Sequence, residues 1–157
     1  MSDLDVRIVT LEPMRVASAH AYSASPEGEA WDKLIAWARP RGLLEDPAAH
    51  RIFGFNNPNP SPGTPNYGYE FWIQVGPEVE EEGEIAIKDF AGGLYAVTRC
   101  NSLSQIGQDW QGLAAWSQES PYTHGTHQWL EEHISPAPSA PQSESELVLD
   151  LYLPIAE

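Results

Sequence analysis

Cations, cysteine and long apolar runs are what these 157 residues have little of. Eight Lys and Arg stand against 23 Asp and Glu, a formal net charge of −15. A duplex-binding surface needs clustered cations to displace counterions from phosphates, so direct contact with nucleic acid is not expected. Cys100 is the only cysteine, which excludes an internal disulfide and suits a reducing, cytoplasmic setting. No apolar run approaches the ~20 residues a membrane helix requires, and the acidic opening Met1-Ser2-Asp3-Leu4-Asp5 is unlike a secretory leader. Neither a glycine-rich phosphate loop, a Gly-x-Ser-x-Gly elbow nor a His-Glu-x-x-His pair is present. Five histidines invite a metal reading, but His124 and His127 fall in a loop and no acid or cysteine completes a zinc-like spacing. No metal and no cofactor is therefore expected. Cys100 reads as a small buried hydrophobe.

What the chain does contain is a repeat. Trp31-Asp32-Lys33-Leu34-Ile35-Ala36-Trp37 returns 79 residues later as Trp110-Gln111-Gly112-Leu113-Ala114-Ala115-Trp116. Val6-Arg7-Ile8 returns at the same spacing as Ile85-Ala86-Ile87, and Tyr69 to Ile73 returns 80 residues later as Leu149 to Leu153. Three matches in one order indicate a duplicated unit, with half-repeats about 1–77 and 84–157 inside a single domain of 1–157.

Each half reads strand, helix, strand, strand. In the first, β-rich runs flank Glu12-Pro13, and Ser25-Pro26-Glu27-Gly28-Glu29 resembles a capped helix entry. The helix carries Trp31, Leu34, Ile35 and Ala38 on one face and should stop near Arg39, before Pro40 and Gly42. Strands follow at 51–55 and 67–75, separated by the loop Asn56–Asn66 with four prolines. The second half offers strands at 85–90 and 94–100, a helix over 104–116, strands at 128–134 and 146–155, and a loop over 135–146. Glu78 to Glu84, five glutamates in seven residues, reads as an exposed hinge. The expected fold is α+β, a duplicated βαββ with pseudo-twofold symmetry: two antiparallel sheets, one main helix each, and a central ligand cleft.

Strand alternation nominates a site. In 128–134, Trp129, Glu131 and His133 share one face, and Leu130, Glu132 and Ile134 the other. The second face carries more apolar residues and is expected to meet the helix, leaving Glu131 among aromatics. Asp150 and Tyr152 oppose the leucine face of the last strand, and Glu70 and Trp72 are their counterparts in the first half. Acids interleaved with rings suit a large, flat, cationic ligand. The ligand-binding set is thus Glu131, His133, Trp129, Glu70, Trp72 and Tyr152. Alternatively, Glu70 and Asp150 face water, and the helix tryptophans read as core.

In the order of these segments the chain resembles the GyrI-like, or bacterial transcription-activator effector-binding, domains. The likeness rests on Val6 to Tyr22 with Glu12-Pro13, the Trp31-Asp32-Lys33-Leu34 helix, Tyr67 to Ile73, Trp129-Leu130-Glu131-Glu132-His133 and the terminal Leu151-Tyr152-Leu153-Pro154-Ile155. The resemblance implies a cleft between two βαββ halves that binds hydrophobic, often cationic, drugs or toxins. It also implies that a glutamate in the penultimate strand forms the cleft floor, matched here by Glu131, while His133 replaces an aromatic found in many relatives. Members are often fused to a DNA-reading helix-turn-helix; none is seen here, so a protein partner, a DNA-binding regulator or gyrase, is the implied route to regulation. The expected function is small-molecule binding. The alternatives are a hydrolase of cyclopropane-bearing electrophiles with Glu131 as general base, and an acidic interaction module that inhibits gyrase.

Overall fold

The computed structural model describes residues 5–57, 62–135, 137–138 and 146–157. In chain order the elements are β1 (Val6–Leu11), β2 (Met14–Ser23), α1 (Pro26–Ala38), β3 (Ile52–Asn56), β4 (Tyr67–Val75), β5 (Ala86–Phe90), β6 (Gly93–Cys100), α2 (Ile106–Glu119), β7 (Thr123–His124), β8 (Leu130–Ser135) and β9 (Val148–Ala156). The fold is α+β, as expected, and the chain divides into two compact units. Residues 58–61 of the expected 56–66 loop, and 136 and 139–145 of the 135–146 loop, lie outside the described residues.

One unit spans Met14–Phe90. Its antiparallel strands run β3-β4-β2-β5. Alternation sends Ala17, Ala19, Ile73 and Val75 to the helix, where they meet Leu34, Ile35, Trp37 and Ala38 of α1. Pro26 at the first turn and Glu27 and Glu29 behind it start α1 as expected, but the Ser25 hydroxyl makes no capping bond. Ser23 and Tyr67 instead donate to Glu29 and Glu27. The helix tightens through Arg39–Arg41 and ends on Gly42 at φ 72°, a left-handed conformation that glycine adopts without cost.

The acidic segment 78–84 is exposed yet is not a free hinge. The Arg15 guanidinium donates to the Val79 carbonyl at 2.6 Å, Lys33 reaches Glu84 at 3.3 Å, and Arg41 pairs with Glu82. Gly83 turns the segment at φ 60° so that Glu82 bridges Ile85, whose side chain is buried. The segment is latched to its own unit by cations and two apolar anchors, Val79 and Ile85.

The other unit holds β1, β6, α2, β7, β8 and β9, with strands in the order β1-β6-β9-β8 and β7 beside β9. Leu113, Trp110, Trp116 and Ile106 of α2 cover Ala96, Leu151, Leu153 and Ile155. Both units therefore share one plan. Strand, helix, strand, strand in sequence becomes β2-β4-β3 in one unit and β6-β9-β8 in the other, the last strand always between the other two. The compact units differ from the half-repeats in one respect: β1 pairs with β6, and β5 pairs with β2.

Candidate functional site

Each sheet has a helix-bearing face and a helix-free face, and the helix-free faces collect the polar chemistry. On β4 the pleat directs Glu70 and Trp72 away from α1. Glu70 is 1% exposed, which rules out the water-facing alternative. Its Oε2 accepts from Ser18 Oγ at 2.6 Å, Trp72 Nε1 at 2.7 Å and Lys88 Nζ at 2.6 Å, and its Oε1 accepts from Asn57 Nδ2 at 3.0 Å. Register explains the gathering: Trp72 lies opposite both Ser18 and Phe53, and Glu70 opposite His20 and Phe55. Trp72 meets Phe55 edge-on at 4.8 Å and Phe90 at 5.3 Å. Burial pushes the Glu70 carboxyl upward, but hydrogen bonds from Lys88, Ser18, Asn57 and Trp72 outweigh it and hold the group below its ordinary range. It is an ionised, buried carboxylate.

The corresponding position in the other unit is Asp150 on β9, also buried. Arg7 Nη2 reaches its Oδ2 at 2.9 Å, and Arg99, its cross-strand partner, donates from Nε to Oδ1 at 2.5 Å. One step along the same face, Tyr152 donates its hydroxyl to Glu132 Oε1 at 2.6 Å. Glu132 is 7% exposed. The Tyr152 ring stands edge-on to Tyr95 at 5.4 Å. Tyr95 donates to the Gln128 carbonyl, and burial raises its hydroxyl pKa, so it stays protonated. Behind Tyr95 lies the His127 ring, centred 4.7 Å away and bonded to the Leu94 carbonyl.

Glu131 does not occupy the place expected of it. Trp110 of α2 donates its indole N–H to Glu131 at 3.2 Å, and the Trp110 and Trp129 rings lie 5.4 Å apart. Trp129, Glu131 and, by alternation, His133 therefore project to the helix-bearing face, while Leu130 and Glu132 project to the other. The expected orientation of β8 is inverted. Trp129 turns to α2 because Trp110 offers its indole a ring there, a contact that strand alternation does not reveal. Ile134 is left exposed beside a register irregularity between His133 and Ser135.

The six nominated residues thus separate into three places. Glu70 and Trp72 are hydrogen-bonded together on the helix-free face of one sheet. Tyr152 lies on the helix-free face of the other sheet, and Trp129, Glu131 and His133 lie on that sheet's helix-bearing face. Glu132, Tyr95, Lys88, Ser18, Asn57 and the Arg7–Arg99 pair were not foreseen. The one signal for Glu132 was Trp110, whose place in the helix stripe demands a ring partner such as Trp129. Cys100 is a buried thiol, and burial pushes its pKa up to about 11, as suits an inert core residue. Among the described residues no cluster of three or more His, Cys, Asp or Glu could hold a metal ion. No helix among them is long and apolar enough to cross a membrane.

Comparison with known proteins places this geometry in context. The profile of Cass2, described as integron-associated effector binding protein, matches residues 7–155. No curated protein matches the chain significantly in sequence. Among solved structures, the chain is similar to the C-terminal domain of EcmrR, at 15% identity and TM-score 0.70 over 99% of each chain. It is also similar to EcmrR in its complex with DNA, at 14% identity and TM-score 0.72. There it covers 98% of its own length but 58% of that chain, so it spans little more than half of that relative. SAV2435 bound to tetraphenylphosphonium is similar at 12% identity and TM-score 0.54, over 96% of this chain and 93% of that one. At such identities the likeness to these structures is one of fold.

Proposed function

The chain belongs to the integron-associated effector-binding protein family, and we propose that the effector it takes up is a hydrophobic small molecule bearing a positive charge. The observation that carries this reading is Glu132: a carboxylate 7% exposed, on a helix-free sheet face, bonded by Tyr152, whose ring meets Tyr95. Rings supply dispersion and cation–π attraction, and the neighbouring carboxylate selects for charge. Because a buried ion pair gains little net energy, the rings carry affinity and Glu132 carries selectivity. The net charge of −15 adds a field that speeds the approach of cations.

That SAV2435, alike in fold, is bound to tetraphenylphosphonium supports the choice of ligand class. Such a cation offers no hydrogen-bond donor, so recognition falls to rings and counter-charge. The same acidity argues against this chain itself touching DNA. A hydrolytic role with Glu131 as base gains nothing from the arrangement, because Glu131 lies against α2 on the face opposite Tyr152.

Calorimetric titration with tetraphenylphosphonium and the neutral triphenylphosphine oxide tests the proposal. Glu132→Gln should weaken the cation by about 1–3 kcal/mol, the scale of a lost charge-assisted contact, and leave the neutral ligand unchanged. Glu131→Gln should leave both affinities within about twofold, as expected of a residue outside the site. Equal loss for both ligands in Glu132→Gln, or the larger loss in Glu131→Gln, overturns the assignment.

A further inference from the structure

The Glu70 cluster is built unlike its counterpart. Asp150 is gripped by two arginines that between them engage both carboxylate oxygens, an arrangement with geometric lock as well as charge. Glu70 has a single cation. Three of its donors, Ser18, Asn57 and Trp72, are neutral, and Ser18 and Trp72 are buried on β2 and β4, the two inner strands of this unit's order β3-β4-β2-β5. The fourth, Lys88, belongs to β5 at the end of that order, and its side chain is 45% exposed.

Two consequences follow from that asymmetry. The neutral donors hold the carboxylate in place from within the sheet and favour its charged form, whichever cation stands beside it. An ammonium on a flexible, half-exposed stem keeps its access to water, so its departure from the carboxylate costs little. The seat is buried while its occupant is half exposed. Trp72 is bonded to the carboxylate and packs against Phe55, the cross-strand neighbour of Glu70, and Phe90, a setting of rings in which an ammonium gains cation–π attraction in addition to charge.

We infer that Glu70, beside the ring cluster of Trp72, Phe55 and Phe90, is a binding seat for a primary alkylammonium ion, and that Lys88 is its built-in occupant, displaced when such a ligand arrives. Lys88 defines the ligand class because it is itself an alkylammonium. The seat lies in the other compact unit from Glu132 and does not depend on the function assigned to that residue. Intramolecular occupancy lowers the apparent affinity for an outside amine by the fraction of time the seat stands open.

The Trp72 indole N–H, bonded to the same oxygen as Lys88, reports on the seat directly. Indole resonances of 15N-labelled protein are followed while n-butylammonium chloride is added, with sodium chloride at matched ionic strength as control. Lys88→Met should show a saturable Trp72 shift at concentrations at least about tenfold lower than the wild type requires, the factor expected when the seat is open one part in ten. Lys88→Gln, which keeps a polar side chain at a half-exposed position, should do the same, and Lys88→Arg should require more n-butylammonium than the wild type. Glu132→Gln should leave the Trp72 titration untouched even where it abolishes the response to tetraphenylphosphonium, so either reading can fail without the other. Equal titration of Lys88→Met, Lys88→Gln and wild type, an unmoved indole, or the same shift from sodium chloride overturns the inference.

Discussion

Replacing Glu70 by glutamine or leucine separates the charge of this buried group from its hydrogen bonds. Glutamine keeps an oxygen where Oε2 stands, so Ser18, Trp72 and Lys88 still find an acceptor. Its amide nitrogen then faces Asn57, whose exposed side chain can turn its own oxygen inward. What is lost is the charge assistance on two buried bonds, together about 2 kcal/mol; Lys88, half in water, adds little. Leucine removes the acceptor and strands the Trp72 N–H and the Ser18 hydroxyl, so its cost is about 4 kcal/mol. Urea unfolding followed by tryptophan fluorescence measures both. The pH dependence has a definite sign. The folded-state pKa lies below the ordinary 4.5, so the advantage of wild type over Glu70→Gln is complete above about pH 4.5. It is lost as pH falls through the folded value. A leucine variant no weaker than glutamine, or a wild-type advantage unchanged from pH 7 to 3, would refute the reasoning.

Two further outcomes are expected. Asp150→Asn should cost about 2 kcal/mol and lower Tm by about 4–8 °C in calorimetry, less than a fully buried pair because both arginines stay half exposed and rehydrate. Gly92→Ala should cost about 2–3 kcal/mol, since Gly92 sits at φ 80° and an added Cβ would meet the Leu11 carbonyl oxygen at 2.3 Å. The paired control is Gly28→Ala in α1, where a Cβ meets nothing within 4 Å and helix propensity should add about 0.5–1 kcal/mol. Thermal melts of both glycine variants that move in the same direction would contradict the backbone argument.

The order of elements was legible because two tryptophan-bearing helices and alternating strands carry strong periodic signals. Strand β4 runs over 67–75 as its alternation indicates, and the Gly42 cap stands where Pro40 and Gly42 announce it. Helix α2 begins at Ile106 rather than 104 because a tight turn over Leu103–Gln105 precedes it. The two-residue strand Thr123–His124 is too short for any period to reveal. Pairing of β1 with β6 and of β5 with β2 was not legible either. Alternation tells which side of a strand is apolar and says nothing of which strand lies beside it. The orientation of β8 failed for a related reason. Both of its faces mix acids with apolar groups, and the decision rests with a residue on another element: Trp110 offers Trp129 a ring and Glu131 a donor at once.

The one-residue difference between Glu131 and Glu132 changes the chemistry as much as the address. A glutamate against an amphipathic helix is a packing partner for an indole, whereas a glutamate on the helix-free face joins a row that includes Asp150 and Tyr152. On the helix-free faces of the two units the buried acids are neutralised in graded ways. Asp150, held by two arginines, is committed to the fold. Its counterpart Glu70 holds three neutral donors and one half-exposed lysine, the cation we infer to be exchangeable. If recognition of cations arose on a repeated βαββ plan, the distinction between bidentate arginine and terminal-strand lysine is what separates a structural acid from a recognising one. Exchanging the two should exchange the behaviour: Lys88→Arg tightens the Glu70 seat against outside amines, and Arg7→Lys combined with Arg99→Met loosens Asp150 towards them. Titration of the double variant with n-butylammonium, read at the backbone amide of Asp150, should give a saturable shift that the wild type lacks. Its absence in a folded double variant would mean that cation identity does not govern which acid is open to exchange.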